Sequence, residues 1–296
     1  MSPTIPKLIG AIEGGGTKFV CAVGTDALNI SHSTTIPTTT PQETLQKCLD
    51  FFLPFKKDLI SLGIGCFGPI DLKPTSPTYG HILNTPKKHW SQSDVVGYFS
   101  RKLGVPIAWD TDVNAAALGE WEHGAGQNCN PLVYITVGTG VGGAVIVQGD
   151  PIHGALHPEM GHILIPQDPS DDFPGICPFH GNCLEGLASG TAIAERWKKP
   201  GQKLSVNPEV WELEATYLAH AVLNLSMILS PERIILGGGV MQQTHLHQLV
   251  HQKYLHLSQN YALSAINRAE NYLSAPFLGN RAGICGVMVL ASRLNC

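Results

Sequence analysis

Short apolar runs and helically spaced apolar positions alternate along the chain, and glycine clusters stand between them. The run Leu8–Glu13 is followed by Gly14–Lys18 and then by the apolar run Phe19–Val23. Two short apolar runs joined by glycines predict a β-hairpin. In the segment Pro41–Phe52 the apolar residues recur at helical spacing, which predicts an amphipathic helix.

The rest of the first half continues in strand and helix signals. Ser93–Leu103 predicts a helix, with Ser93 as its N-cap and Gly104 just past its end. The other predicted elements are two strands, a polar loop between them and an Ala-rich helix: Leu59–Phe67, Val105–Trp109, Lys73–Trp90 and Asn114–Gly124.

The second half repeats the arrangement of the first. Leu132–Val137, a glycine turn and Ala144–Val147 predict a second hairpin, and a polar loop covers Gly154–Gly186. The elements predicted after that loop are four helices and one strand, namely Gly190–Lys198, Glu209–Leu229, Thr244–Leu257, Ala282–Leu294 and Arg233–Leu236. Histidines on the polar third helix are predicted to lie at the surface: His245, His247, His251 and His256. Two α/β lobes follow from this repetition.

Length and composition agree with two lobes and narrow the function classes. The chain has 296 residues, of which 43% are hydrophobic, and this suits two domains with sizeable cores. The net charge of −4, with no basic run, disfavours nucleic-acid and membrane-surface partners. No apolar segment has the length of a membrane span, and residues 1–7 do not resemble a signal peptide, so we expect a cytoplasmic protein. Eight dispersed cysteines predict free thiols and one metal site.

The glycine turns are candidates for phosphate binding. Gly138, Gly140 and Gly143 have the spacing of a dinucleotide fingerprint, but a strand follows them where that fingerprint needs a helix. No P-loop motif is present. Hairpin turns whose N–H groups face a phosphate remain, and structural turns are the alternative. Hydroxyl and ammonium groups beside these turns could add contacts, and they belong to Thr17, Lys18, Thr136 and Thr139; Lys18 could also be a solvated surface charge.

Asp112 lies where a predicted strand ends and a predicted helix begins. An aspartate here is often only a helix N-cap. A carboxylate at the end of a strand beside a glycine loop is also suited to accept the proton of an attacking hydroxyl in phosphoryl transfer. We therefore predict Asp112 as a general base, and Asn114 alone would be interpreted as a cap.

The polar loop of the second half contains a candidate zinc site. Cys177, His180 and Cys183 follow a CxxHxxC spacing that can reach one tetrahedral zinc, and His162 could supply the fourth ligand. Solvated loop residues are the alternative. A zinc held by four protein ligands would be structural, and it would direct Glu185, which follows Cys183 closely.

At this point the sequence resembles the ROK family of sugar kinases and sugar-responsive repressors, and within it the fructokinase branch. The resemblance covers essentially the whole chain. It rests on nine ordered motifs, which are Ile12–Lys18, Gly65–Asp71, Asn84–Trp90, Asp110–Glu120, Thr136–Gly142, Glu159–His162, Cys177–Glu185, Leu236–Gly239 and Leu278–Gly283.

The resemblance implies a two-lobed actin-like ATPase (ribonuclease-H-like) fold with an interlobe cleft. The smaller lobe would comprise residues 1–115 and 280–296, and the larger lobe 116–279. Asp112 would be the general base. The phosphate- and nucleotide-binding residues would be Gly15, Gly16, Thr17, Lys18, Thr136, Gly138, Thr139, Gly140, Gly237, Gly238 and Gly239. The sugar-binding residues would be Gly68, Asn114, Glu159, His162 and Glu185. Zinc would be held by His162, Cys177, His180 and Cys183.

Two positions depart from the pattern of most family members. Glu13 stands where they carry Asp, so any contact of Glu13 with Mg²⁺ would run through water at a different distance. Thr111 stands where many glucokinases of the family have Asn. A hydroxyl offers fewer hydrogen bonds than an amide, and this favours fructose over glucose.

The resemblance implies an ATP:hexose 6-phosphotransferase that uses Mg²⁺ and converts fructose to fructose 6-phosphate, and it implies a homodimer. A kinase of mannose or glucose is the nearest alternative. A sugar-sensing repressor would need a helix-turn-helix before the first hairpin, for which the strand at Leu8 leaves no room. A phosphate-binding scaffold without activity is disfavoured by Asp112.

Overall fold

The computed structural model describes residues 7–295, so residues 1–6 of the segment 1–7, which was expected not to be a signal peptide, lie outside the described residues. The described strands, in chain order, are β1 Leu8–Gly14, β2 Lys18–Gly24, β3 Ile30–Pro37, β4 Leu59–Cys66, β5 His81–Ile82, β6 Ser93–Asp94, β7 Ile107–Thr111, β8 Leu132–Val137, β9 Val141–Val147, β10 Asp150–Pro151, β11 Arg233–Gly237 and β12 Leu273–Ser274. The described α-helices are α1 Pro41–Phe52, α2 Val95–Leu103, α3 Asp112–His123, α4 Leu184–Ala188, α5 Gly190–Trp197, α6 Pro208–Leu229, α7 Leu246–Leu257, α8 Ala265–Arg268 and α9 Ala282–Arg293.

The chain packs as two compact units. The first unit contains the residues up to His123, the short segment Ile152–His157 and the residues from Asn280 on. The second unit contains Gly124–Pro151 and Pro158–Gly279.

The sheet of the first unit has the strand order β3-β2-β1-β4-β7. β1, β2 and β3 form an antiparallel meander, whereas β4 and β7 run parallel to β1. α1 buries the apolar face that its spacing predicted, and its residues Leu45, Cys48, Leu49 and Phe52 enter the core of this unit. Thr40 caps the helix by accepting the Glu43 N–H.

α3 and α9 pack against each other at glycines. A Cβ on Gly286 would lie 1.6 Å from the Ala115 carbonyl oxygen, and one on Gly119 would lie 2.5 Å from the Ala282 carbonyl oxygen. Only glycine allows backbones to approach this closely. The approach fixes the first turn of α3, where Asp112 stands, against the second turn of α9.

The sheet of the second unit has the order β10-β9-β8-β11-β12. β8 and β9 form an antiparallel hairpin, and β11 runs parallel to β8. Each unit therefore combines a glycine-linked hairpin with parallel strands. The 22-residue helix α6 and the helix α7 pack together, and α6 buries Trp211, Tyr217 and Leu218.

Several local predictions were wrong in detail. The N-cap of α2 is Asp94, which accepts the Gly97 N–H at 2.7 Å, whereas Ser93 pairs in the short strand β6. The strand β3 was missed because its exposed face is polar throughout. Helix α3 begins at Asp112, directly after β7 ends at Thr111, whereas the sequence predicted that it begins at Asn114.

Two of the four histidines predicted at the surface are not exposed. The His251 side chain is buried and its Nε2 lies 3.3 Å from the Asn267 carbonyl oxygen. His247 is half-buried against the Leu236 carbonyl oxygen, and burial lowers its pKa. Both face the body of the unit because α7 packs on α6 and β12.

The described cysteines are all free thiols and all buried: Cys21, Cys48, Cys66, Cys129, Cys177, Cys183 and Cys285. Between residues 7 and 295, no helix combines the length and the apolar character that crossing a bilayer requires.

Candidate active site

Three predicted motifs of the first unit meet at one edge of its sheet. Gly14, Cys66 and Thr111 are paired in register across β1, β4 and β7. These strands are parallel, so the hairpin turn, the loop that contains Gly68 and the start of α3 all leave the sheet at this edge. This edge of the sheet therefore holds the candidate phosphate-binding turn, Gly68 of the candidate sugar site and the predicted base Asp112.

The hairpin turn of the first unit is exposed and braced. Its Gly15 N–H donates to the Lys18 carbonyl oxygen at 2.9 Å, and Gly16, Thr17 and Lys18 are exposed. Thr38 fastens the turn from β3, since its N–H donates to Thr17 O and its hydroxyl donates to Gly15 O. A braced turn with exposed N–H groups suits an anion.

Asp112 begins α3 and stands beside Glu13. Its Oδ1 accepts the Val113 N–H at 2.9 Å. The pKa of Glu13 is raised to about 7. Burial is the largest cause and the nearby Asp112 charge is the second, while Lys18 and the Ile284 N–H lower the pKa. The sheet edge thus holds a pair of carboxylates, one of which readily carries a proton near neutral pH.

Asn114 is held by Asp110, a residue that the sequence analysis did not assign. The Asp110 Oδ1 accepts the Asn114 Nδ2–H at 2.7 Å and the Thr111 N–H at 2.7 Å. Both Asp110 and Asn114 are buried. His153, another unassigned residue, places its Nε2 3.0 Å from Asp110 Oδ2. The sequence signal for the Asp110–Asn114 contact was their four-residue spacing across the junction of β7 and α3, whereas the His153 contact had no local signal.

In the second unit two glycine turns leave the sheet side by side. Thr136 of β8 pairs with Gly237 of β11, so the turn at 138–140 and the turn at 237–239 are neighbours. Gly238 has φ +91°, and a Cβ there would lie 2.4 Å from the Val137 carbonyl oxygen. Gly190 N–H and the Thr191 hydroxyl donate to carbonyl oxygens of the first turn and hold it on α5.

Glu185 connects the glycine turn to His162. The Glu185 Oε2 accepts the Val141 N–H at 2.9 Å, and a Cβ on Gly140 would lie 2.5 Å from the same oxygen. The other oxygen, Oε1, is 3.9 Å from His162 Nε2. Glu159 is exposed one residue before the short 3₁₀ turn Met160–His162.

The four predicted metal ligands lie together. The ligand atoms of His162, Cys177, His180 and Cys183 are all within 4.8 Å of one another. The His162 Nδ1 is 3.6 Å from the Cys177 Sγ and 3.5 Å from the Cys183 Sγ. Zinc bond lengths and a tetrahedral angle give an N···S separation of about 3.6 Å. The cluster therefore has the spacing of one tetrahedral metal site.

The Cys183 thiol of this cluster keeps its proton when no metal is bound. The pKa of Cys183 is raised to about 11. Burial is the largest cause, and the adjacent Cys177 thiol also raises the pKa. A metal would bind the thiolate and release the proton. His162 would then use Nδ1 for the metal and turn Nε2 toward Glu185.

The comparisons with known proteins agree with this chemistry. The model of the ROK family matches residues 9–294. The chain is 42% identical to a fructokinase of Pediococcus pentosaceus, over 96% of this chain and 97% of that protein. It is 44% identical to a fructokinase of Zymomonas mobilis, over 96% of each chain.

Solved structures resemble the chain in fold. A ROK hexokinase from Thermus thermophilus gives a TM-score of 0.79 at 23% identity, covering 97% of this chain and 99% of that one. A ROK family glucokinase from Streptomyces griseus, in complex with glucose and AMPPNP, gives 0.73 at 23% identity over the same shares. Together with the two mixed sheets, these likenesses confirm the predicted actin-like ATPase fold.

Proposed function

The chain belongs to the ROK family, and from that premise we propose that it is an ATP-dependent fructokinase. It transfers the γ-phosphate of ATP to the 6-hydroxyl of D-fructose and releases fructose 6-phosphate and ADP. The observation that carries this proposal is the identity of 41–44% to fructokinases over nearly the whole chain.

Asp112 acts as the general base. Its carboxylate accepts the proton of the sugar hydroxyl as the oxygen attacks phosphorus, while positioning and charge neutralisation supply the rest of the rate. The neighbouring Glu13 carboxyl has a pKa of about 7, so it can hold a proton. In that state it adds no second negative charge beside Asp112.

The two exposed turns bind the phosphates. In the first unit, the turn of Gly15 and Gly16 lies against the phosphates, and Thr17 and Lys18 add a hydroxyl and an ammonium. The Gly15 N–H is already bonded to the Lys18 carbonyl oxygen, so the backbone donor of this turn is the Gly16 N–H. In the second unit the phosphate ligands are Thr136, Gly138, Thr139 and Gly140, and the adenosine lies against Gly237, Gly238 and Gly239. The braced backbone of these turns supports the assignment, because a rigid donor array needs little reorganisation.

Sugar binding is assigned to Gly68 and Asn114 in the first unit and to Glu159, His162 and Glu185 in the second. Zinc, held by His162, Cys177, His180 and Cys183, is structural, and the three S···N separations near 3.6 Å support it. Mg²⁺, when bound, would supply charge neutralisation on the phosphates, and Glu13 is the residue proposed to hold it, by way of water.

Further parts of the proposal concern the whole protein. It works in the cytoplasm, where ATP is abundant, as a homodimer. A broader hexose kinase that also takes mannose or glucose is the second candidate, because a family glucokinase shares the fold.

The substitution Asp112→Asn tests the proposed base. Asn retains an oxygen that accepts the Val113 N–H, so the variant should fold and melt as the wild type does. Fructose-dependent ADP release should fall by about 10³-fold or more, since a general base typically contributes 10²–10⁴-fold. Asp50→Asn, an exposed aspartate on α1, is the matched control and should keep full activity. Substantial turnover by Asp112→Asn would refute the role.

A further inference from the structure

The short segment Ile152–His157 packs in the first unit, although the chain on both sides of it belongs to the second unit. Two of its six residues are histidines, and each reaches a neighbour of a proposed sugar ligand. We propose, on the basis of the proposed fructokinase activity, that His153 is a positioning residue for the sugar. It holds the Asp110 carboxylate, and through it Asn114, in the orientation that binds a sugar hydroxyl.

The contacts of Asp110 carry the first step. Its side chain is 2% exposed and accepts hydrogen bonds at 2.7 Å from the Thr111 N–H and from the Asn114 amide. His153 Nε2 lies 3.0 Å from Oδ2 and 3.2 Å from Oδ1 of the same carboxylate. A buried carboxylate needs such donors, and His153 supplies the donor for the oxygen Oδ2.

The direction of these bonds fixes the orientation of Asn114. A carboxylate only accepts hydrogen bonds, so both His153 Nε2 and Asn114 Nδ2 must donate to it. The 3.3 Å between these two nitrogens is therefore a contact of two donors on one acceptor. With its NH₂ committed to Asp110, Asn114 directs its carbonyl oxygen elsewhere. The hydrogen bond from a sugar hydroxyl is assigned to that oxygen, and the hydroxyl must reach a side chain that is 1% exposed in this structure.

A second contact anchors the same segment beside Gly68. The buried His157 Nε2 accepts the Ile70 N–H at 3.1 Å. A Cβ on Gly68 would lie 3.2 Å from the His157 ring, so the ring lies directly against that glycine. The segment is thus fixed to β7 through His153 and to the Gly68 loop through His157, and the His153 contact is the one that controls a side-chain orientation.

The experiment compares the variants His153→Phe, His153→Gln and Asn114→Ala with the wild type. His153→Phe keeps a ring of similar size without a donor, and His153→Gln restores a donor. We expect His153→Phe to raise the KM for fructose by about ten-fold, the usual effect of losing one hydrogen bond to a charged group. The KM for ATP should change less than about two-fold, and His153→Gln should recover part of the loss. His32→Gln, an exposed histidine of the same unit, is the control.

A double-mutant cycle separates positioning from a structural role. If His153 acts through Asn114, adding His153→Phe to Asn114→Ala should raise the KM for fructose no further. Fructose-induced thermal stabilisation supplies a second readout that needs no turnover. Wild-type KM in His153→Phe, or fully additive effects in the cycle, would overturn the proposal.

The same panel distinguishes a failure of the proposed function. If the wild type phosphorylates another hexose instead of fructose, fructokinase activity is wrong, and the variants are measured with that hexose. A selective rise of its KM in His153→Phe would still support positioning by His153, and an unchanged KM would refute it.

Discussion

At the scale of one residue, the Glu13 carboxyl at the sheet edge binds a proton more tightly than an exposed glutamate does. Its pKa rises from its usual 4.5 to about 7 because the side chain is desolvated and Asp112 is close. In the unfolded chain the same group loses its proton near pH 4.5. Between these two values the folded state binds more protons than the unfolded state, so stability falls as the pH rises through this window.

We therefore predict that Glu13→Gln removes part of this pH dependence. The wild type should lose about 1–3 kcal/mol more unfolding free energy than the variant between pH 4.5 and pH 8. Urea unfolding at the two pH values measures the difference. Glu209→Gln, an exposed glutamate at the start of α6, should behave as the wild type does. Equal pH dependence in wild type and Glu13→Gln would contradict the shifted pKa.

Residue types and spacing identified much of the candidate site, but not all of it. Asp112 and the four metal ligands follow from local patterns, since a strand end or a CxxHxxC spacing is visible within a few residues. His153 and His157 escaped because their partners Asp110 and Ile70 lie 43 and 87 positions away in the chain. Contacts at such separations are fixed only by the fold.

At the scale of elements, helix spans were predictable where the apolar period is strong. α1 begins and ends where the pattern placed it, because its core-facing residues recur at helical spacing. The N-cap of α2 was wrong by one residue. Ser93 and Asp94 are both good N-caps and both pair in β6, and Asp94 is the cap because its carboxylate accepts the Gly97 N–H.

The loop that leads into α4 gives a prediction about metal. Purified protein should contain about one zinc per chain, because four ligand atoms share one tetrahedral site. Cys177→Ser should lose most of that zinc, unfold more easily by about 1–3 kcal/mol and bind fructose more weakly. Metal analysis, thermal unfolding and the KM for fructose measure the three effects.

Cys129→Ser is the matched control for the metal prediction, since Cys129 is a buried thiol of the same unit outside the cluster. It should keep the zinc. Protein that is free of metal and still fully active would refute the zinc assignment.

At the scale of the whole molecule, the repetition in the sequence anticipated the architecture. Both halves open with a glycine-linked hairpin, and in both units a parallel strand pairs beside that hairpin. The sequence could not indicate that Ile152–His157 packs with the first unit. Its six residues combine three apolar residues, two histidines and a glycine without a pattern that indicates a partner, and its anchors are side-chain contacts with distant residues.

Fructose as the substrate is the central claim about the whole molecule, and ADP release with a panel of hexoses tests it most directly. Fructose, mannose, glucose and N-acetylated hexosamines would be compared at equal ATP and Mg²⁺. We predict a kcat/KM for fructose at least about ten-fold above that of every other sugar, the discrimination that one or two hydroxyl contacts can supply. A higher kcat/KM for glucose or mannose, or no ADP release with fructose, would contradict the claim.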